Sequence, residues 1–495
     1  MLFSSLVFLW YFLPAVFFLY FITKNLHIRN SVLLTASLFF YAWGEPKYVI
    51  LMLVSIGLNY FFGLWIGRMQ SKHRMRLAVT TCVFLNLLLL GYFKYFNFAV
   101  EIANSLLSRF AGGAHTLSFR EIALPVGISF YTFQALSYVV DVYRGENQAQ
   151  KNPLNMMLYI SFFPQLIAGP IVKYHDIEEQ IENRTVTLEG FSYGVKRFIF
   201  GLGKKVILAN TFAEVVDAVY AYQAADVSQA MLWLTALLYM LQIYFDFSGY
   251  TDMAVGAALM LGLRLPENFA APYKATGIVD FWRRWHMTLG RWLHDCLYQP
   301  LGGSRHGRVR QYANLLLTML VCGVWHGAGL TFLLWGALHG LLLLVNHAFR
   351  HLLRGSLAER VLALPPLRAL CVLVTFLCLT VAWVLFRAGD TGTALHVWQS
   401  MFLWSDGHPL PLQQGLEALL PGGLLEPRLL LPLLAVCAVI VWALPCSQHV
   451  MLGRADGSRP WLHWQPNLLW AVALALPALA SLLLMQGHAF LSFRF

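Results

Sequence analysis

Long apolar stretches recur along the whole chain, at about 3–23, 31–66, 77–97, 123–140, 155–172, 191–210, 230–262, 312–324, 328–347, 369–386, 428–446 and 466–487. A helix needs roughly 20 residues to cross the hydrocarbon layer of a bilayer, and in lipid every backbone group must be satisfied within the protein. The pattern predicts an all-α polytopic membrane protein with about 11 transmembrane helices plus re-entrant or interfacial helices, the stretch 31–66 holding up to two passes. Pro125-Val126-Gly127 and Ala168-Gly169-Pro170 interrupt two stretches. Broken helices survive at that depth only where protein or a water-filled cavity takes up the freed backbone groups. The composition is 58% hydrophobic and 12% charged, where a soluble domain carries about 25% charge. That excludes a soluble class, and residues 1–495 read as a single membrane domain.

The first stretch has neither a basic flank before it nor a small-residue cleavage site, so it reads as a retained span. Lys24 and Arg29 follow it, and Arg68, Lys72, Arg74 and Arg76 follow the second stretch. Basic loops stay cytoplasmic, which turns the N-terminus outward. Residues 388–427 contain no Lys or Arg and read as an extracytoplasmic excursion. The seven cysteines are scattered without a Cys-x-x-Cys pair and read as small core residues.

Against this background two histidines stand out. His326, in Trp325-His326-Gly327, lies within 315–345, which holds no Asp, Glu, Lys or Arg. His286 closes Phe281-Trp282-Arg283-Arg284-Trp285-His286. Titratable groups at membrane depth are costly and mark reaction centres or ion paths. A neutral imidazole in a dry site is a competent general base for a hydroxyl attacking a thioester or ester. Gly323, Gly327 and Gly329 around His326 permit close backbone approach or a local break. The competing reading for each is a core histidine satisfied by a carbonyl.

The net charge of +11 is uneven. Lys274, Arg283, Arg284, Arg291, Arg305, Arg308 and Arg310 crowd 274–310 against Asp280 and Asp295. Attraction to anionic lipid accounts for such a patch, and so does a cytoplasmic docking site for a phosphate-bearing cosubstrate. The expected binding residues are Arg283, Arg284 and Arg291 with Trp285. At about 100° per residue, 281–296 projects as one amphipathic interfacial helix. Trp282, Trp285, Leu289, Trp292, Leu293 and Cys296 fall on its apolar face, and Arg284, Thr288, Arg291 and Asp295 opposite.

A metal centre is not expected. His286, His294, His326 and His339 are available, but His326 and His339 stand about 220° apart on one helix, and neither a His-Glu-x-x-His nor a His-x-x-His-His pattern occurs. There is no Gly-x-Ser-x-Gly elbow and no Gly-x-x-x-x-Gly-Lys-Ser/Thr loop. Asp246, Asp252 and Arg387 are expected in structural ion pairs, and Lys204 and Lys205 at a cytoplasmic helix end. A chain this embedded in lipid is not expected to bind nucleic acid.

The segments Pro125-Val126-Gly127-Ile128-Ser129-Phe130-Tyr131-Thr132-Phe133-Gln134, Phe162-Phe163-Pro164-Gln165 with Ala168-Gly169-Pro170, and Tyr244-Phe245-Asp246-Phe247-Ser248-Gly249-Tyr250 occur in that order. Phe281 through His286, Leu297-Tyr298, Pro300-Leu301-Gly302-Gly303 and Val324-Trp325-His326-Gly327 continue them. Together they cover nearly the whole chain, and the chain resembles the membrane-bound O-acyltransferase family, in the bacterial branch that includes the membrane subunit of alginate O-acetylation. Gln299 and Arg494 depart from that pattern and weaken any claim to one polysaccharide. The resemblance implies an enzyme of the bacterial cytoplasmic membrane, with a central tunnel and no permanently bound cofactor. It implies His326 as the catalytic residue and His286 as a second functional one. Acetyl-CoA is the implied donor, entering from the cytoplasm. An extracytoplasmic exopolysaccharide such as alginate, or a partner acetyltransferase protein, is the implied acceptor. On that basis His326 deprotonates the accepting hydroxyl, and His286 positions the acyl group or stabilises an oxyanion. Transfer of D-alanine or another acyl group to a cell-envelope polymer stays open, as does a transporter without acyl chemistry. Transporters commonly carry paired repeats, and neither histidine segment has a second copy.

Overall fold

In a computed structural model, residues 1, 3–110, 117–221, 227–403, 427–452 and 461–485 are described. Among them every regular element is helical. Five helices are long and apolar enough to span a bilayer: Tyr48–Gly67, Lys72–Phe110, Gln229–Met260, Leu330–Leu353 and Pro365–Arg387. Phe8–Phe21, Pro432–Ala443 and Leu468–Leu483 are apolar but shorter. Two of the apolar stretches are broken by their own residues. The stretch 31–66 divides at Glu45-Pro46, since proline disfavours helix in the residue before it. The stretch 155–172 stops at Ser161, turns once over Phe163–Leu166 and becomes irregular before Pro170.

The described chain divides into two compact units. The first comprises residues 1–191 and 257–266. It holds α1 (Leu13–Phe21), α2 (Leu26–Gly44), α3 (Tyr48–Gly67), α4 (Lys72–Phe110), α5 (Ile128–Arg144), α6 (Pro153–Ser161), α7 (Phe163–Leu166) and α8 (Tyr174–Asn183). Asn25 starts α2, its side chain accepting from the His27 N–H at 2.9 Å, as a capping residue does. Polar side chains tie the spans where lipid gives no hydrophobic drive: the buried Asn59 of α3 and Asn86 of α4 exchange amide hydrogen bonds of 3.0 and 3.1 Å. Gly63 lets α3 lie against α5, because a Cβ there would sit 2.5 Å from the Tyr138 ring. The stretch 123–140 is interrupted at Pro125-Val126-Gly127 as expected, and its helix begins at Ile128. Gly127 adopts φ 77° there, and a Cβ on it would meet the Leu166 carbonyl oxygen at 2.9 Å.

The second unit comprises residues 192–256 and 267–494. It takes most of α9 (Leu188–Gly203), then α10 (Asn210–Ala221), α11 (Gln229–Met260), α12 (Ile278–Trp282), α13 (Met287–Leu293), α14 (Arg308–His326), α15 (Leu330–Leu353), α16 (Leu357–Leu362), α17 (Pro365–Arg387) and α18 (Thr391–Phe402). α9 and α11 cross through glycines spaced by seven, which permits backbone contact between helices. A Cβ on Gly201 would lie 2.5 Å from the Gly249 carbonyl oxygen, and one on Gly256 2.6 Å from that of Gly194. The same crossing buries charge in pairs. Arg197 donates to Asp252 at 2.7 Å and to Glu267 at 2.6 Å; Asp252 also receives Lys204 at 2.6 Å and the Ser447 hydroxyl at 2.8 Å. Lys205, expected at a cytoplasmic helix end, is buried against Asp246 at 2.6 Å, because a helix surface turned inward must neutralise its charge. Arg387 meets Asp217 at 2.8 Å and lies over the Tyr220 ring.

α14 and α15 form a tight antiparallel hairpin on Gly323, Gly336 and Gly340. A Cβ on Gly323 would stand 3.1 Å from the Gly336 backbone and clash with the Phe332 carbonyl oxygen. Within the expected excursion 388–427, α18 starts on Asp390, whose side chain caps the Thr393 N–H at 2.9 Å. Residues 404–426 and Arg494 lie outside the described residues.

Candidate active site

The segment expected to be one helix over 281–296 is broken at His286, which adopts left-handed backbone angles of φ 44° and ψ 54°. The backbone partners are diverted to another segment. The Met287 N–H donates to the Asn268 carbonyl at 3.0 Å, and the Arg284 carbonyl accepts from the Ala270 N–H at 3.0 Å. The Thr288 N–H and hydroxyl both donate to Asn268 Oδ1, at 3.2 and 3.0 Å, and His286 Nδ1 lies 3.1 Å from the same oxygen. Thr288, projected onto the polar face, is therefore buried. The rest of the projection sorts in part: Trp285, Leu289, Trp292 and Leu293 are buried and Arg291 is exposed, while Trp282, Cys296, Arg284 and Asp295 are all half-buried.

Aromatic rings hold this turn from behind. Trp285 stacks on Phe281 at 5.4 Å and meets Phe269 at 5.0 Å and Trp383 at 5.3 Å edge-on or tilted. At 3% exposure it is an interior residue and not, as foreseen, one open to an incoming cosubstrate. Arg284 is engaged within the protein, donating to Asp280 at 2.8 Å and to the Ala270 carbonyl at 3.3 Å.

His326 is the last residue of α14 and is half-buried. Its ring lies 5.2 Å from both Trp335 and Phe386 and 4.9 Å from Trp325, centroid to centroid. His286 is 1% exposed, edge-on to Phe247 at 4.8 Å and 6.1 Å from Trp325. Trp325 thus stands against both histidines, and the site brings together the two residues singled out from sequence. Its frame includes Phe247, from the quoted segment 244–250, and two rings that no quoted motif announced, Trp335 and Phe386. Asn268 had no signal either, lying 18 residues before His286 in an irregular segment.

The angle used to separate His326 from His339 does not apply, because the chain reverses at Gly327–Gly329 and places them on two helices. Both touch Trp335, His339 at 4.6 Å. His339 is fully buried, with no hydrogen-bond partner at either ring nitrogen. His294 is exposed and pairs instead with Asp295 at 2.9 Å, in a π-helical turn over His294–Tyr298.

The helical membrane fold thus frames a buried His286 and a half-buried His326 with the same aromatic ring, Trp325. The sequence model of the membrane-bound O-acyltransferase family matches residues 146–386, a span containing both histidines. The chain belongs to that family and is an acyltransferase. It is 42% identical over 404 residues to a probable alginate O-acetylase of Pseudomonas aeruginosa, covering 81% of this chain and 75% of the relative. A peptidoglycan O-acetyltransferase of Helicobacter pylori is 39% identical over 433 residues, 81% of this chain and 80% of the relative. A teichoic acid D-alanyltransferase of Bacillus subtilis is 28% identical over 326 residues, 59% and 80% of the two chains.

Proposed function

We propose that this protein is a bacterial inner-membrane O-acetyltransferase. It takes acetyl from a cytoplasmic thioester, acetyl-CoA, and delivers it outward for O-acetylation of an exopolysaccharide such as alginate, directly or through a hydroxyl of an extracytoplasmic partner protein. The observation that carries this reading is the meeting of His326 and His286 on Trp325 in a chain about 40% identical to named polysaccharide and peptidoglycan O-acetylating relatives. The whole chain acts as one membrane domain of about 11 passes, the short and broken helices completing a passage for the acyl group, with the N-terminus outside.

In this scheme the accepting hydroxyl oxygen bonds to the thioester carbonyl carbon while its proton moves to His326. Collapse of the tetrahedral species breaks the carbon–sulfur bond, and the proton passes to the departing thiolate. His286 orients the acyl donor. Arg283 and Arg291, on the exposed side of the same turn, receive the phosphates of the donor. Transfer of D-alanine from a carrier is the second reading, supported by the teichoic acid D-alanyltransferases among the relatives; acetyl-CoA binding to purified protein separates the two.

The test supplies labelled acetyl-CoA to membranes carrying wild type or His326→Ala, with polysaccharide and partner protein present. Label should leave the thioester with wild type alone. Equal label in both removes His326 from the chemistry, and no label in either, from folded protein, removes acetyl-CoA as donor.

A further inference from the structure

Among the described residues only two without a glycine backbone have positive φ, Ala271 at 50° and His286 at 44°. They sit on the two segments of one clasp, 268–271 and 284–288, joined by the hydrogen bonds given above. Strained backbone of this kind persists where surroundings over-determine it, and it concentrates at functional sites.

The clasp also fixes a proton. The Thr288 backbone N–H only donates, so the amide atom it reaches at 3.2 Å is the oxygen of Asn268. That oxygen only accepts, so the ring nitrogen 3.1 Å away carries a hydrogen: His286 is protonated at Nδ1. The other ring nitrogen, Nε2, then presents a lone pair. It is buried and has no hydrogen-bond partner within the protein. Around it stand the Phe247 and Trp325 rings, neither of which offers a charge.

We infer that Asn268 is a positioning residue that locks His286 in the Nδ1–H form, so that Nε2 accepts a hydrogen bond from an N–H or O–H group of the acyl donor. A neutral Nε2 has no hydrogen to give to an oxyanion, so this form assigns His286 to holding the donor and not to stabilising developing negative charge. The inference rests on the acyl-transfer reading for the identity of the ligand, whereas the tautomer stands on the protein alone.

The experiment measures donor and acceptor kinetics for wild type, Asn268→Ala and Asn268→Asp, with acetyl-CoA as probe. A ¹⁵N-histidine spectrum accompanies it, in which His286 is assigned by difference against His286→Gln. Asn268→Ala should raise KM for acetyl-CoA about tenfold and leave KM for the acceptor unchanged. Asn268→Asp keeps an accepting oxygen and should stay within about threefold of wild type. The wild-type spectrum should show His286 protonated at Nδ1. Wild-type KM values in Asn268→Ala, or a His286 signal protonated at Nε2, overturn the inference. If Asn268→Ala does not fold, the aspartate variant and the wild-type spectrum decide. If wild type transfers no acetyl from acetyl-CoA, the proposed function falls, and the spectrum still decides the role of Asn268.

Discussion

Replacing Gly256 by alanine tests whether the α9–α11 crossing sets the buried ion network. The new Cβ would stand 2.6 Å from the Gly194 carbonyl oxygen, 2.7 Å from the Phe198 nitrogen and 3.1 Å from its Cα. All three are backbone atoms, so no side chain can swing away. Ordinary contact begins at 3.4 Å, so the helices must separate by 3.4 − 2.6 = 0.8 Å. One turn away Asp252 receives Arg197 at 2.7 Å, and the same displacement carries that bond to 2.7 + 0.8 = 3.5 Å, where hydrogen bonding is weak. Overpacking alone costs about 1–3 kcal/mol. Loosening a buried pair adds to it, because neither charge regains water. Thermal unfolding of purified protein in detergent should show a melting point several degrees lower. The matched control is Gly91→Ala in α4, where a Cβ meets nothing within 4 Å; a helix-interior alanine there should be neutral or stabilise by about 0.5–1 kcal/mol. Wild-type melting for Gly256→Ala, alongside an unshifted control, would refute the reasoning.

Other outcomes follow from the same contacts. Asp252→Ala leaves the half-buried Lys204 without a carboxylate and the buried Arg197 with Glu267 alone, and should cost about 3–5 kcal/mol, read as lost yield and melting point. A folded variant with wild-type stability would show that the network is solvated. His339→Phe should preserve turnover and hold or raise the melting point, since an unpartnered buried imidazole carries a desolvation cost of about 1–3 kcal/mol; lost turnover in a stable variant would place His339 in the chemistry. Arg283→Ala should raise KM for acetyl-CoA roughly tenfold with kcat unchanged, most clearly at low salt. An unaltered KM moves the phosphate site elsewhere.

The helical membrane class and both histidines were legible in the sequence because they depend on local pattern: apolar runs set helices, and a titratable ring in an uncharged run declares its cost. Other features depend on distant partners. The break at His286 could not be read from 281–296, whose periodicity is that of an unbroken helix. It is imposed by Asn268, which takes the N–H groups of Met287 and Thr288. Lys205 looks like a helix-end anchor until Asp246 is placed beside it. The angular argument about His339 failed for a similar reason, because three residues with extended or bent backbone between two helices reset the phase.

The α14–α15 hairpin has a bearing on charge. Its open end carries Arg308 and Arg310 on one arm and Arg350, His351 and Arg354 on or just past the other, while its closed end carries His326. A 19-residue helix is about 28 Å long at about 1.5 Å per residue. The imidazole is therefore a full helix length away from the cations that begin its own helix, and a proton taken up at His326 meets little repulsion from them.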